Sequence, residues 1–306
     1  MIKYFSLLAI IASFPYAAWA GDYEVEEQEH ALTAYLNGRK LWTYNHDPAE
    51  GKPYFHPLAT TTGINLTDLR PDDHPWHRGL WFSWKYINKV NYWEESRKTG
   101  LSDGRTQIFH FQGLVSTDKT THLQLRLTYT PADKTTPVLI EMRKLRISAP
   151  DSNRVYTVDW ESEFIAGAKD VEFDRTPLPD EEGGKNWGGY AGLSLRMNKE
   201  VNGGVFQNNE GQKGEAGAHR QSADWMSYTP PDGGYVVFMD HPENMNYPNK
   251  WYISEKMGYF SPSVVHDAAH VLEKHQSLVL RHRVVISPEV LDDAEIKQLM
   301  ADWLNQ

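Results

Sequence analysis

Several stretches of this chain alternate polar and apolar side chains one by one, and no other feature limits the fold as strongly. Residues 122–129 (His-Leu-Gln-Leu-Arg-Leu-Thr-Tyr) alternate throughout. A strand points successive side chains to opposite faces, so a period of two marks a strand with one dry face and one wet face. Residues 138–147 form a second run of this kind. In 155–164, Tyr156, Val158, Trp160, Ser162 and Phe164 share one face, while Asp159, Glu161 and Glu163 share the other. Residues 234–239 and 277–286 are more continuously apolar and read as buried strands. Turn-forming clusters such as Pro150-Asp151-Ser152-Asn153 and Pro230-Pro231-Asp232-Gly233-Gly234 separate the runs. Many short strands with such turns predict an all-β sandwich or barrel. One helix is expected at the C-terminus, capped by Ser287, with Pro288 in its first turn and a stripe of Val290, Leu291, Ile296, Leu299, Met300 and Leu304.

The N-terminus reads as an export signal. Lys3 precedes an apolar run over 5–16, and Ala18-Trp19-Ala20 forms a small-residue cleavage site before the polar Gly21-Asp22-Tyr23-Glu24. The apolar run is too short to span a bilayer, and no later stretch is long enough to do so. Residues 1–20 are thus a signal peptide, and 21–306 form one domain, periplasmic or secreted. The chain of 306 residues has no cysteine. That excludes disulfide staples, thiolate metal sites, a cysteine nucleophile and a lipid-anchored N-terminal cysteine. A net charge of −10 without a basic stripe argues against nucleic acid as a partner. The 11 Trp, 16 Tyr and 11 Phe fit either a β core or a surface that stacks on sugar rings. No G-x-S-x-G elbow, phosphate-binding loop or dinucleotide fingerprint is present, which disfavours α/β hydrolases, NTPases and NAD enzymes.

The densest chemistry lies in residues 70–84, which hold two His, two Asp, two Arg and three Trp. Imidazole exchanges protons near neutral pH, and arginine can grip a carboxylate through two parallel hydrogen bonds. His77, His74 and Arg78 are therefore candidate catalytic residues, with Trp76 as a stacking platform. A metal reading competes, because His74-x-x-His77 with Asp72 or Asp73 resembles a ligand set. The pair lacks the i, i+4 helical spacing of zinc proteases, and no cofactor is expected. Glu141 and Glu163 are candidates for a second proton-transfer group. Carboxylates on alternate strand positions sit about 6.5–7 Å apart, a separation used in glycoside cleavage. Cross-strand ion pairs with Arg143 and Arg146 explain the same charges. Glu94 and Glu95 follow Tyr92-Trp93 in a further aromatic–carboxylate cluster.

Two long Gly-rich stretches, 174–192 and 202–224, exceed the usual length of a plain connection. The first carries Trp187 and Tyr190, which suits a binding loop. His110 sits in an apolar strand-like run, either as a core residue or as an inward-facing group on a concave sheet. The proline-fixed loop 240–251 offers His241, Asn244, Tyr247 and Trp251 as substrate contacts.

Several blocks together resemble a bacterial family labelled the PmoA family. They are Tyr54-x-x-Pro57 with Gly63, Asp73-His74-Pro75-Trp76-His77-Arg78-Gly79-Leu80-Trp81, Asn91-Tyr92-Trp93-Glu94, Glu141-x-Arg143, Phe173-x-x-Thr176, Gly192-Leu193-x-x-Arg196, Asp240-His241-Pro242-x-Asn244-x-x-Tyr247-Pro248 and Arg281-x-Arg283. The methane-oxygenase subunit of similar name is a multi-helix membrane protein, whereas this chain has no membrane span. The resemblance implies a large antiparallel β-sandwich like the galactose-mutarotase supersandwich, in proteins that accompany carbohydrate-degrading enzymes and sugar oxidoreductases. A familiar variant carries His-His where this chain has Trp76-His77, which favours His77 as the reactive imidazole. Arg196 joins the expected substrate contacts. The expected activity is cleavage or rearrangement of a glycoside or uronide by His and carboxylate acid–base chemistry. A non-catalytic glycan-binding module and a sugar mutarotase are the alternatives, and a carbohydrate is the partner in each.

Overall fold

A computed structural model describes residues 22–117 and 119–306. The expected signal peptide, 1–20, lies outside the described residues. The fold is all-β, with two eight-stranded antiparallel sheets face to face and a four-stranded sheet at one end. One large sheet runs in the order Tyr23–Gln28, Ala31–Leu36, Arg39–Asn45, Tyr54–Leu58, Leu80–Ser83, Gly192–Arg196, Tyr259–Pro262 and Trp251–Ser254. The other runs Val205–Asn208, Trp225–Thr229, Tyr235–Asp240, Ser277–Ser287, Tyr156–Ala166, Leu139–Ser148, Thr120–Pro131 and Gly104–Ser116. The small sheet joins His270–Leu272, Val171–Asp174, Tyr86–Ile87 and Val90–Asn91.

The period-two runs fall where expected. Leu123, Leu125, Leu127 and Tyr129 are buried from one strand, and Tyr156, Val158, Trp160, Ser162 and Phe164 from another. They meet the first sheet across the core, where Trp160 lies edge-on to Phe55 and Phe164 packs on Phe82. The outward carboxylates form ion pairs across strands: Asp159 takes Arg283 and Arg146, and Glu161 takes Arg281 and Lys144. Glu163 lies on this outer face, half-buried. Tyr235–Asp240 is apolar on both faces because the C-terminal helix covers its outer side: Val237 and Met239 pack with Leu291, Ile296 and Trp303.

That helix spans Asp293–Leu304, so it starts several residues beyond the expected Ser287 cap. Asp292 caps it instead. Its Oδ1 accepts from the Ala294 and Glu295 amides at 2.9 Å, and the Glu295 side chain reaches back to the Asp292 amide. The Ser287 hydroxyl is used locally, accepting from the Glu289 amide and donating to the Glu289 carbonyl. Val290 and Leu304, placed in the expected stripe, are exposed, whereas Trp303 is buried. Asp292→Ala removes the oxygen that accepts from both amides and is expected to lower stability by about 1 kcal/mol, read as a shift in the urea midpoint.

Glu141 corrects the sequence reading most plainly. It is fully buried between the sheets, where the Arg143 guanidinium clasps both its oxygens at 2.6 and 2.9 Å. Tyr129 and Ser162 hydroxyls donate to the same carboxylate at 2.5 Å, and the Trp160 indole N–H donates to Ser162. Arg143 also lies 4.5 Å from the Trp160 ring. A carboxylate with every acceptor position occupied and no route to solvent is a structural ion pair, not a proton donor to a ligand.

Candidate functional site

Local chain geometry brings the two imidazoles of the early loop together. Hydrogen bonds from the His74 amide to the Pro71 carbonyl and from the His77 amide to the His74 carbonyl fold residues 71–77 into successive tight turns. The Arg70 amide closes the loop on the His77 carbonyl at 3.0 Å. Gly79 then enters the strand Leu80–Ser83 at φ +63, where a Cβ would stand 2.3 Å from the Phe55 carbonyl, so only glycine fits. The result stacks His74 on His77, with ring centroids 4.8 Å apart and planes within 19°. His77 stacks in turn on Tyr259 at 5.2 Å.

These rings border a cavity of about 160 Å³ on the edge of the first sheet. Its buried end is formed by His77, Trp93 and Tyr259, and its sides by Trp76, Tyr190 and Tyr252. His74, Met257 and the exposed Trp187 complete the opening. Among the described residues, one carboxylate lines it, Glu94. The Asn91 side chain fixes the turn that presents Glu94 by accepting from the Trp93 and Glu94 amides at 2.9 and 3.2 Å. The buried Lys85 ammonium pairs with Glu94, and the Tyr190 hydroxyl donates to it at 2.7 Å. Burial alone would raise the Glu94 pKa. The Lys85 charge and the hydrogen bonds outweigh it and hold Glu94 below the usual carboxylate range, ionised at neutral pH.

His77 is held neutral. Burial dominates, and the interactions with His74, Arg196, Lys52 and Arg78 act in the same direction, so its pKa lies well below 6.5. Its Nδ1 is buried without a protein partner. Asp73 stands beside His74, with Oδ2 3.0 Å from His74 Nδ1, and Arg196 NH2 holds both Asp73 oxygens at 3.0 Å. Burial would raise Asp73, but the contacts with His74 and Arg196 outweigh it and keep it low.

The loop 174–192 supplies one wall. Arg175 ties it down by donating to the His266 carbonyl, the Asp267 carbonyl and Glu181. Arg220 NH2 reaches the Asn186 and Gly188 carbonyls at 3.0 and 3.1 Å, on either side of Trp187. Gly188 and Gly189 allow close backbone approach, since a Cβ on Gly188 would lie 2.0 Å from the Pro177 carbonyl.

Of the residues selected from sequence, His74, Trp76, His77, Trp187 and Tyr190 line this one cavity. The others do not. Arg78 points away from it into a buried cluster, where Glu95 lies at 2.7 Å and Glu50 at 3.2 Å, with Lys52 and Arg70 sharing the same two carboxylates. His77 and Arg78 thus serve different surroundings although they are adjacent in sequence. Arg196 anchors Asp73 instead of lining the opening. Glu141 is sealed in the core, and Glu163 lies on the outer face of the opposite sheet. His110 is exposed on the outermost strand, Gly104–Ser116.

The 240–251 loop is a structural corner. Asn244 donates to Asp240 at 2.7 Å and to the Arg281 carbonyl, Tyr247 donates to Asp224, and His241 packs edge-on to Trp303. Trp251 is fully buried, with its indole N–H on the Ala223 carbonyl. The side chains of Asn244 and Asn249 donate to a buried carboxylate, Asp240, which burial pushes up to about 6 despite these bonds.

The sequence places Glu94 beside Trp93 but carries no signal of its part in the site. Lys85, Tyr252, Met257 and Tyr259 carry no motif; Tyr252 and Tyr259 come from paired strands and Met257 from the turn between them. Among the described residues, no group of three or more His, Asp or Glu is arranged to hold a metal ion. His74 and His77 lie face to face, so their ring nitrogens do not converge on one point.

No curated protein matches. The Slr1438 protein from Synechocystis sp. PCC 6803, a solved structure, is 10% identical, with 88% of this chain and 96% of that chain covered and a TM-score of 0.39. The model of a family of unknown function, DUF6807, matches residues 31–301. That match spans the cavity and both large sheets apart from the strand Tyr23–Gln28, and the chain belongs to the DUF6807 family.

Proposed function

We propose that this protein is an exported carbohydrate-active enzyme that cleaves or rearranges a glycoside by acid–base chemistry in the aromatic cavity. One observation carries the reading: two imidazoles and an ionised carboxylate share a cavity walled by tryptophan and tyrosine. Ring faces stack on the C–H surface of a sugar, while His74, His77 and Glu94 are left to meet its hydroxyls. A neutral His77 is ready to accept a proton at pH 7, which an imidazolium is not. Glu94 takes the place given to Glu141 and Glu163 from sequence, because it alone among these carboxylates faces the imidazoles. The block carrying the PmoA-family resemblance supplies His74, Trp76 and His77. Two eight-stranded sheets suit a supersandwich of the galactose-mutarotase type. An export signal and the absence of cysteine favour the periplasm or the medium.

A glycan-binding module would use the same walls without turnover, and a mutarotase would need only the imidazole–carboxylate pair. The purified chain 21–306 is to be incubated with neutral and acidic oligosaccharides. Products are followed by chromatography, anomer equilibration by polarimetry and binding by tryptophan fluorescence. Turnover that disappears in His77→Ala, with affinity kept within a few-fold, is the expected result. Saturable binding with no product and no anomer exchange would leave the module reading, and no response to any sugar would end the carbohydrate reading.

A further inference from the structure

The shape of the cavity speaks to how much of a glycan it can hold. We propose that it is an end-on site for a single sugar ring, so that the protein takes a terminal residue or a one-ring glycoside and not the interior of a chain; this rests on the carbohydrate reading above. Three features carry it.

The first is size. The cavity is about 160 Å³, well under the roughly 300–1,000 Å³ of clefts that enclose drug-sized ligands. The second is closure. His77, Trp93 and Tyr259 at its base are each at most 3% exposed, and Trp81 and the Lys52–Glu95 pair pack behind them. A chain cannot thread through that wall, so the enclosed part of the cavity has one way in.

The third is the rim. The loop bearing Trp187 crosses one side of the opening and is fixed from below. Arg220 holds the carbonyls on either side of Trp187, and Gly189 sits so close to His266 that a Cβ would stand 2.9 Å from its ring. The loop thus gives the opening one fixed side. Trp187 itself is 56% exposed, the most exposed ring on the cavity. A large apolar ring held out to solvent beside a blind cavity is placed to stack on the second residue of a bound chain, outside the enclosed ring.

The test compares one-ring and three-ring probes. Methyl glycosides of glucose, galactose, mannose, xylose and glucuronic acid are titrated beside linear trisaccharides of the same sugars. Affinity is read from tryptophan fluorescence, and ring-by-ring contact from saturation-transfer NMR. For the sugar that binds, the methyl glycoside is expected to bind within about tenfold of its trisaccharide, with saturation concentrated on one terminal ring. Trp187→Ala should weaken the trisaccharide by about tenfold, removing most of its advantage. A trisaccharide bound more than about a hundredfold tighter, with saturation spread evenly over three rings, would overturn the end-on site while leaving the carbohydrate reading standing. Binding by none of the probes, terminal or internal, would instead remove the carbohydrate reading and this inference with it.

Discussion

Arg143→Met is expected to destabilise the protein by about 3–5 kcal/mol, because it leaves the Glu141 carboxylate charged and unpaired in the core. Methionine roughly fills the space along the arginine stem, so the loss is mainly electrostatic and not a cavity effect. Tyr129 and Ser162 still donate to Glu141, yet two hydroxyls do not replace a guanidinium that clasps both oxygens. Against a typical domain stability of about 5–15 kcal/mol, the loss leaves a marginal fold. The variant Glu141→Leu with Arg143→Met removes both charges together and should recover much of the loss, since exchanging a buried ion pair for apolar groups is often close to neutral. Urea midpoints of the single and double variants decide the matter. A single variant as stable as the parent would show that Glu141 reaches water, and its exclusion from site chemistry would fall with that result.

This ion pair also shows what the sequence could and could not tell. Alternation fixed which residues of 155–164 face inward, and the core follows it residue by residue through Tyr156, Val158, Trp160 and Phe164. Alternation places Glu141 and Arg143 together on one face, but not on which side of the sheet that face lies. Here an inward pair of opposite charges satisfies itself, so charged residues sit where apolar ones are expected. The candidate site was legible in part for a related reason. His74, Trp76 and His77 are close in sequence, and their local density is visible. Glu94 joins them because Asn91 orders a turn nearby, whereas Tyr252 and Tyr259 arrive from a hairpin more than 150 residues away, where sequence spacing carries no signal. Arg78 departs from the site because adjacency in sequence is not adjacency in a cavity. The helix began late because a serine before proline resembles a cap, while the Asp292–Glu295 pair satisfied more amides.

His77→Gln should lower turnover by about 10²–10⁴-fold, the usual worth of a positioned general base, while leaving sugar affinity within a few-fold. Glutamine keeps a planar polar side chain of similar reach but accepts no proton at neutral pH. The pH dependence gives a sharper test. A base works only when unprotonated, and the His77 pKa is depressed by burial and by His74, Arg196, Lys52 and Arg78. Its protonation therefore begins well below 6.5, not around it. Glu94, also depressed, stays ionised over the same interval. The rate should thus stay flat from pH 7 down past 6.5 and fall only in more acid solution. Arg196→Gln removes one of the positive charges that depress His77, so the acid limb of its profile should move upward, toward 6.5. Profiles of kcat for the parent and Arg196→Gln measure both effects. A parent rate that already falls by half near pH 6.5 would mean that His77 titrates as a solvated imidazole and does not serve as the buried base. An Arg196→Gln limb that moves downward would contradict the electrostatic origin assigned to the depression, since loss of a cation can only ease protonation of a neighbouring imidazole.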